Sequence, residues 1–244
     1  MEHPVIHLNN TDSTSNYLKQ LLTKTTVEEG TIVYTDFQTS GRGQRGNGWE
    51  SENGKNLLFS IVLYPHTIKA SEQFIISQAI SLAIRDSLSK YLDYITIKWP
   101  NDIYWQEKKI CGMLIENTLT NNTINQSVIG IGININQDEF SNNVPNPVSI
   151  KQITGKEYKI EDIMDQTYLY IMKYYTEIKE GKTTSIREKY KESLFRNTGY
   201  HLYNDGVSDF EARIKEVKPN GLLSLRLRDG SEREFAFKEV KYIL

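Results

Sequence analysis

The sequence predicts an α+β fold, with a larger unit of strands and helices over residues 1–194 and a compact β-rich unit over residues 195–244. Three observations carry this. Two amphipathic helical stripes are separated by strand-like runs. The runs at 94–99, 110–116 and 127–136 follow one another across short polar links, which suggests an antiparallel meander. From about Phe195 the pattern changes to short strand candidates at 200–203, 210–217, 222–228 and 234–237. Asn204-Asp205-Gly206, Pro219-Asn220-Gly221 and Asp229-Gly230 punctuate them as turns.

In chain order, Tyr17, Leu18, Leu21 and Leu22 have helical spacing, with Thr11, Asp12 or Ser13 available as a cap. Strand signals at 31–36 and 57–64 flank a glycine-rich stretch. Ile75, Ile76, Ala79, Ile80, Ala83, Ile84 and Leu88 mark a strongly amphipathic helix with Ser71 as its expected N-cap. The stripe from Ile160 to Ile178 is a further helix, closed by Gly181 at C′, and another helix is expected over residues 185–194.

Composition narrows the function. The 244 residues carry 29 Lys+Arg against 31 Asp+Glu, a net charge of −2, which gives no global footprint for nucleic acid or an anionic membrane. The single cysteine, Cys111, excludes an internal disulfide framework, and four scattered histidines do not suggest a zinc site. No run of roughly 18 apolar residues is present, and Met1-Glu2-His3-Pro4 has no signal-peptide character. A cytoplasmic protein is expected. The stretch ahead of the first helix is short for a DNA-binding module, so DNA binding is not expected.

Gly41-Arg42-Gly43-Gln44-Arg45-Gly46-Asn47-Gly48-Trp49 is the most unusual stretch. It matches G-x-G-x-x-G in form, yet a dinucleotide loop must open a helix, and turn then strand follows here. No V-A-I-K, H-R-D or D-F-G set makes it a kinase loop. Gly181-Lys182-Thr183 ends like a Walker A loop, but Thr176 stands where the first glycine is required. Four glycines let backbone N–H groups converge as an anion-accepting nest, and Arg42 and Arg45 add planar forks suited to phosphate or carboxylate. Trp49 offers a face for a base or an apolar ligand. The bland alternative is a solvated loop with two ordinary arginines.

Lys98-Trp99-Pro100-Asn101-Asp102 ends a strand abruptly, because Pro100 cannot continue a ladder. Alternation puts Ile97 and Trp99 in the core and points Lys98 into solvent or a cleft. Ile110-Cys111-Gly112-Met113-Leu114 and Gly130-Ile131-Gly132-Ile133-Asn134 carry glycines at alternate positions, as where a ligand or a backbone approaches a sheet closely. Asn134 ends that row with an amide able to read a base or a ureido group. A bulged sheet packed on a helix is the other reading.

Together these segments resemble the biotin–protein ligase family. The likeness runs in order through Asp12-Ser13-Thr14-Ser15-Asn16, Gln38-Thr39-Ser40-Gly41-Arg42-Gly43, Trp49-Glu50-Ser51, Lys98-Trp99-Pro100-Asn101-Asp102, Lys109-Ile110-Cys111-Gly112-Met113-Leu114-Ile115-Glu116 and Gly130-Ile131-Gly132-Ile133-Asn134-Ile135-Asn136. It implies a catalytic domain like that of class II aminoacyl-tRNA synthetases, with a mixed or antiparallel sheet and flanking helices, followed by an SH3-like β-barrel. It also implies two steps. Biotin attacks the ATP α-phosphate, with Mg²⁺ present, to give biotinyl-5′-adenylate, and a lysine of a biotin carboxyl carrier domain then takes the acyl group. The enzyme would act as a monomer or homodimer, without nucleic acid or membrane.

The resemblance implies biotin contacts at Ser13, Thr14, Ser15, Gln38, Gly41, Arg42, Gly43, Gln44, Lys98, Gly112 and Leu114, with Lys98 and Arg42 catalytic. It implies nucleotide contacts at Arg42, Arg45, Trp49, Asn101 and Asn134, and assigns no residue to a metal. The chain departs from the family pattern at Ser15 before Asn16, at Gln44 in place of arginine, and at Asn47. The alternatives are a lipoate or octanoate ligase or transferase, against which Lys98-Trp99-Pro100-Asn101-Asp102 argues, and a non-catalytic biotin sensor.

Overall fold

In a computed structural model, residues 4–141 and 145–243 are described, apart from the side chain of Arg45. Seven strands form the main sheet: β1 (Val5–Thr11), β2 (Ile32–Gln38), β3 (Leu57–Leu63), β4 (Ile95–Lys98), β5 (Asp102–Trp105), β6 (Lys108–Thr120) and β7 (Thr123–Ile133), in the spatial order β1-β2-β3-β7-β6-β5-β4. Only β1 and β2 pair in parallel, across the helix α1 (Thr14–Lys24); every other neighbouring pair in this sheet is antiparallel. The α+β class is therefore as expected, and the meander is present with one more strand.

Each addition or correction has a local cause. Asp102–Trp105 is a strand because Pro100 ends β4 at a hairpin, with Lys98 directly opposite Asp102. β1 lies at the sheet edge, half exposed, so it has no strong apolar pattern to betray it. Ser71 is not the N-cap of α2 (Phe74–Leu88). It sits in a 3₁₀ turn at Ala70–Glu72, and Gln73 holds the cap position without a side-chain bond. Ser13 holds the cap position of α1, also without a side-chain cap bond. The short α3 (Ile150–Thr154) carries a full capping box between Ser149 and Gln152. Gly181, at φ +76°, closes α4 (Ile160–Lys179) as expected, and α5 (Thr183–Glu192) follows.

β3 is buried along its whole length because both faces are covered. On one face α1 packs Leu18 with Val33, Val62 and Val128. The other face belongs to the main core, where α2 and α4 bring Ile76, Ile80, Ile84, Ile171 and Tyr175 together with Phe59 and Ile61. The C-terminal strands β8 (His201–Asn204), β9 (Asp209–Val217), β10 (Leu223–Leu227), β11 (Glu232–Phe235) and β12 (Lys241–Tyr242) form a second antiparallel sheet, ordered β11-β10-β9-β8-β12. Trp99 ties it to the first: its indole N–H donates to the Gly221 carbonyl at 3.0 Å, and its ring meets Phe237 edge-on at 6.4 Å. Among the described residues, no helix is long and apolar enough to cross a membrane.

Candidate active site

A cavity of about 430 Å³ opens between the glycine loop, the start of α1 and the cavity face of β6 and β7. Its polar end is built by the β1–β2 register, which sets Thr11 opposite Gln38 and so brings the first residues of α1 beside Gln38. The Thr14 N–H and hydroxyl donate to Gln38 Oε1 at 2.9 and 3.2 Å. Thr14 and Ser15 hydroxyls share Ser60 Oγ at 2.8 and 2.9 Å, and Ser13, Thr14 and Ser15 are all buried. Gly130 makes this possible: a Cβ there would lie 2.5 Å from Ser15 Oγ.

The glycine loop is folded back on itself. Gly43 N–H donates to the Asn47 carbonyl at 2.7 Å and Trp49 N–H to the Gly41 carbonyl at 2.9 Å, around a single 3₁₀ turn at Gln44–Gly46. No helix follows; the chain runs on to β3. Gly41 does not line the cavity, but a Cβ there would stand 2.3 Å from the Trp49 carbonyl, so its smallness lets the loop close.

What approaches the glycine strands is the Trp49 ring. Gly112 and Gly132 are register partners, and Cβ atoms on them would lie 2.8 and 2.4 Å from the indole. The indole N–H is buried without a hydrogen-bond partner. Lys109 Nζ lies 5.6 Å from the ring centroid and pairs with Asp102 Oδ1 at 2.8 Å; both residues line the cavity.

Lys98 is not on the cavity wall. It shares its face with Asp102 and Tyr104, and its ammonium turns away to donate to Tyr104 Oη at 3.0 Å. It stands 4.6 Å from the Tyr104 ring centroid and 5.2 Å from that of Tyr242 in the second sheet. Burial pushes its pKa below the ordinary lysine value, partly countered by Asp102. The lysine facing the cavity is Lys109, at the start of the segment that also supplies Gly112 and Leu114.

Arg42 lines the cavity and is held by a fork onto Glu116, at 2.9 and 3.1 Å, with Asn16 Oδ1 at 2.9 Å. Lys19 reaches the same carboxylate at 3.0 and 3.1 Å. Burial would raise the Glu116 pKa, but the hydrogen bonds from Arg42 and Lys19 outweigh it and hold the carboxyl below its ordinary value.

Asn101 and Asn134 line the cavity, yet their amide N–H groups serve the walls. Asn101 Nδ2 donates to the Met113 carbonyl, and Asn134 Nδ2 to the Val148 carbonyl at 3.1 Å. Asn101→Ala should therefore destabilise the fold by about 1–3 kcal/mol through an orphaned buried carbonyl, readable as a fall in urea midpoint. Gln44, Gly112 and Leu114 line the cavity as well, while the Arg45 side chain is outside the described residues. Sequence reasoning missed Lys109, Asp102, Glu116 and Phe237. The last comes from the turn between β11 and β12, and nothing local to its sequence signals a cavity.

The chain belongs to the Biotin/lipoate A/B protein ligase family, whose model matches residues 8–134. Among the similar proteins, some are named as bifunctional ligase/repressors and others as biotin–protein ligases. The bifunctional ligase/repressor BirA of Bacillus subtilis is 26% identical over 246 residues, covering 96% of this chain and 73% of that protein. BirA of Escherichia coli is 33% identical over 136 residues, 55% of this chain and 41% of that protein. The biotin protein ligase of Aquifex aeolicus, solved in complex with biotin and ATP, superposes with a TM-score of 0.81 at 25% identity, covering 98% of this chain and 99% of that one.

Proposed function

We propose that this biotin–protein ligase activates biotin as biotinyl-5′-adenylate and passes the acyl group to a lysine of a biotin carboxyl carrier domain, using the cavity for both steps. One observation supports this above the others. The cavity wall combines neutral hydrogen-bonding groups at Ser13, Thr14 and Gln38 with the cationic side chains of Arg42 and Lys109, over a floor of glycine and Trp49. That combination suits a ligand that carries both a ureido ring and a carboxylate.

In this reading Ser13, Thr14, Ser15 and Gln38 hold the ureido group, and Gly112 and Leu114 lie beneath the bicyclic ring. The carboxylate oxygen attacks the α-phosphorus and pyrophosphate leaves. Two anions must meet, so Arg42, the Gln44 amide and Lys109 neutralise the charge that develops between them. Lys109, and not Lys98, supplies the lysine charge because Lys109 faces the cavity. Trp49, Asn101 and Asn134 shape the nucleotide side. In the second step the carrier amine adds to the activated carbonyl, AMP leaves, and the same cations take up the phosphate charge. Aligning both substrates supplies much of the remaining acceleration.

Mg²⁺ would enter with ATP and draw charge from its phosphates. Among the described residues no group of three or more His, Cys, Asp or Glu comes together. Asp102 and Glu50 are the carboxylates on the cavity wall, a set that suits a cation carried mostly by phosphate and water. We assign the chemistry to residues 1–194 and a closing wall, through Phe237, to residues 195–244. A cytoplasmic site of action, as monomer or homodimer and without nucleic acid or membrane, completes the reading.

The test is incubation with biotin, MgATP and a carrier domain. One covalent biotin per carrier and biotin-dependent pyrophosphate release are expected. A folded protein that releases no pyrophosphate in response to biotin refutes the proposal.

A further inference from the structure

Glu116 has no part in the chemistry above, yet its placement is specific. Gly112, Leu114 and Glu116 alternate along β6, so they share the face that floors the cavity, and Glu116 stands one step past its end. There it meets Arg42, which belongs to the glycine loop. The two guanidinium nitrogens contact the two carboxylate oxygens at 2.9 and 3.1 Å, a paired geometry that fixes the plane of the fork as well as its distance. Asn16, on α1, accepts from the same guanidinium at 2.9 Å. Arg42 is thus carried by a glycine-rich loop but located by a sheet strand and a helix.

A carboxylate beside a working arginine would ordinarily cancel its charge. Here Lys19 on α1 also binds Glu116, at 3.0 and 3.1 Å, so two cations share one anion and one unit of positive charge remains. The cluster can therefore orient Arg42 without silencing it. An arginine left free on a glycine loop would have to be ordered when substrate binds, and that ordering costs affinity or rate.

We propose that Glu116 is a positioning residue for the adenylation step, acting through Arg42, with Lys19 keeping the cluster cationic. The proposal rests on the role given to Arg42 above. A fork misplaced by about 1 Å can cost up to about 100-fold in rate, so Glu116→Ala should slow biotin-dependent pyrophosphate release by roughly 10- to 100-fold. Glu116→Gln keeps the shape without the charge and should be impaired in the same direction, which keeps the test open should the alanine variant fold poorly.

The deciding measurement is a double-mutant cycle on the full chain, with the rate read by pyrophosphate release and folding by thermal melting. In the Arg42→Ala background, adding Glu116→Ala should change the rate by less than about twofold, since there is no fork left to orient. Equal losses in both backgrounds would mean that Glu116 acts only on the fold, and the proposal falls. A faster Glu116→Ala enzyme would make Glu116 a competitor for Arg42, which also overturns it. If Arg42→Ala is costly while both Glu116 variants are silent, this inference fails alone. If Arg42→Ala is itself silent, the reading of the cavity fails with it.

Discussion

Replacing Lys109 with alanine should slow biotin-dependent pyrophosphate release by roughly 10²–10³, the loss that follows removal of one preorganised donor at a developing charge. Lys109 lines the cavity, pairs with Asp102 at 2.8 Å and stands by the Trp49 ring, so its ammonium is fixed before any substrate arrives. The control is Lys98→Met, which keeps the aliphatic stem against Tyr104 and Tyr242 and should lower the rate by no more than a few-fold. Quenched-flow measurement of adenylate formation with both variants separates them. Should Lys98→Met prove the slower enzyme, the lysine at the end of β4 carries the charge and the assignment reverses.

The two lysines illustrate what one sequence can and cannot tell. Alternation correctly placed Ile97 and Trp99 in the core and turned Lys98 the other way. It could not say what lay on that other side, because Tyr104 and Tyr242 reach Lys98 through a hairpin and a second sheet. Lys109 was in plain view within a recognised segment, but only the fold of β6 against β5 brings it to Asp102 and the cavity. The glycine alternation in β6 and β7 did signal a close approach. Its partners, the Trp49 ring and the Ser15 hydroxyl, come from elements dozens of residues away. β3 and the α2 stripe were legible because burial left continuous or periodic apolar runs. β1 was not, because an exposed parallel edge leaves no such record.

Gly132→Ala should weaken biotin binding strongly, because its methyl would stand 2.4 Å from Trp49 Cε2 and 2.7 Å from Cζ2 and Nε1. A rigid indole wedged between the loop and the sheet cannot turn aside as a flexible side-chain end would. Either the sheet yields or the loop lifts, taking Trp49 and the folded glycine turn with it. Overpacking of this kind costs about 1–3 kcal/mol, which corresponds to about 5- to 140-fold in biotin affinity if the loop must close to bind. The strand itself should survive, since Gly132 is flanked by fully packed Ile131 and Ile133 in the centre of the sheet. Titration calorimetry with biotin reads the affinity, and a melting curve reads the sheet. The cause can be isolated by adding Gly132→Ala to Trp49→Ala. With the ring gone, the methyl has nothing to strike, and the double variant should bind biotin as well as Trp49→Ala alone. If the glycine substitution costs as much without the indole as with it, the floor is needed for the strand pairing rather than for the tryptophan.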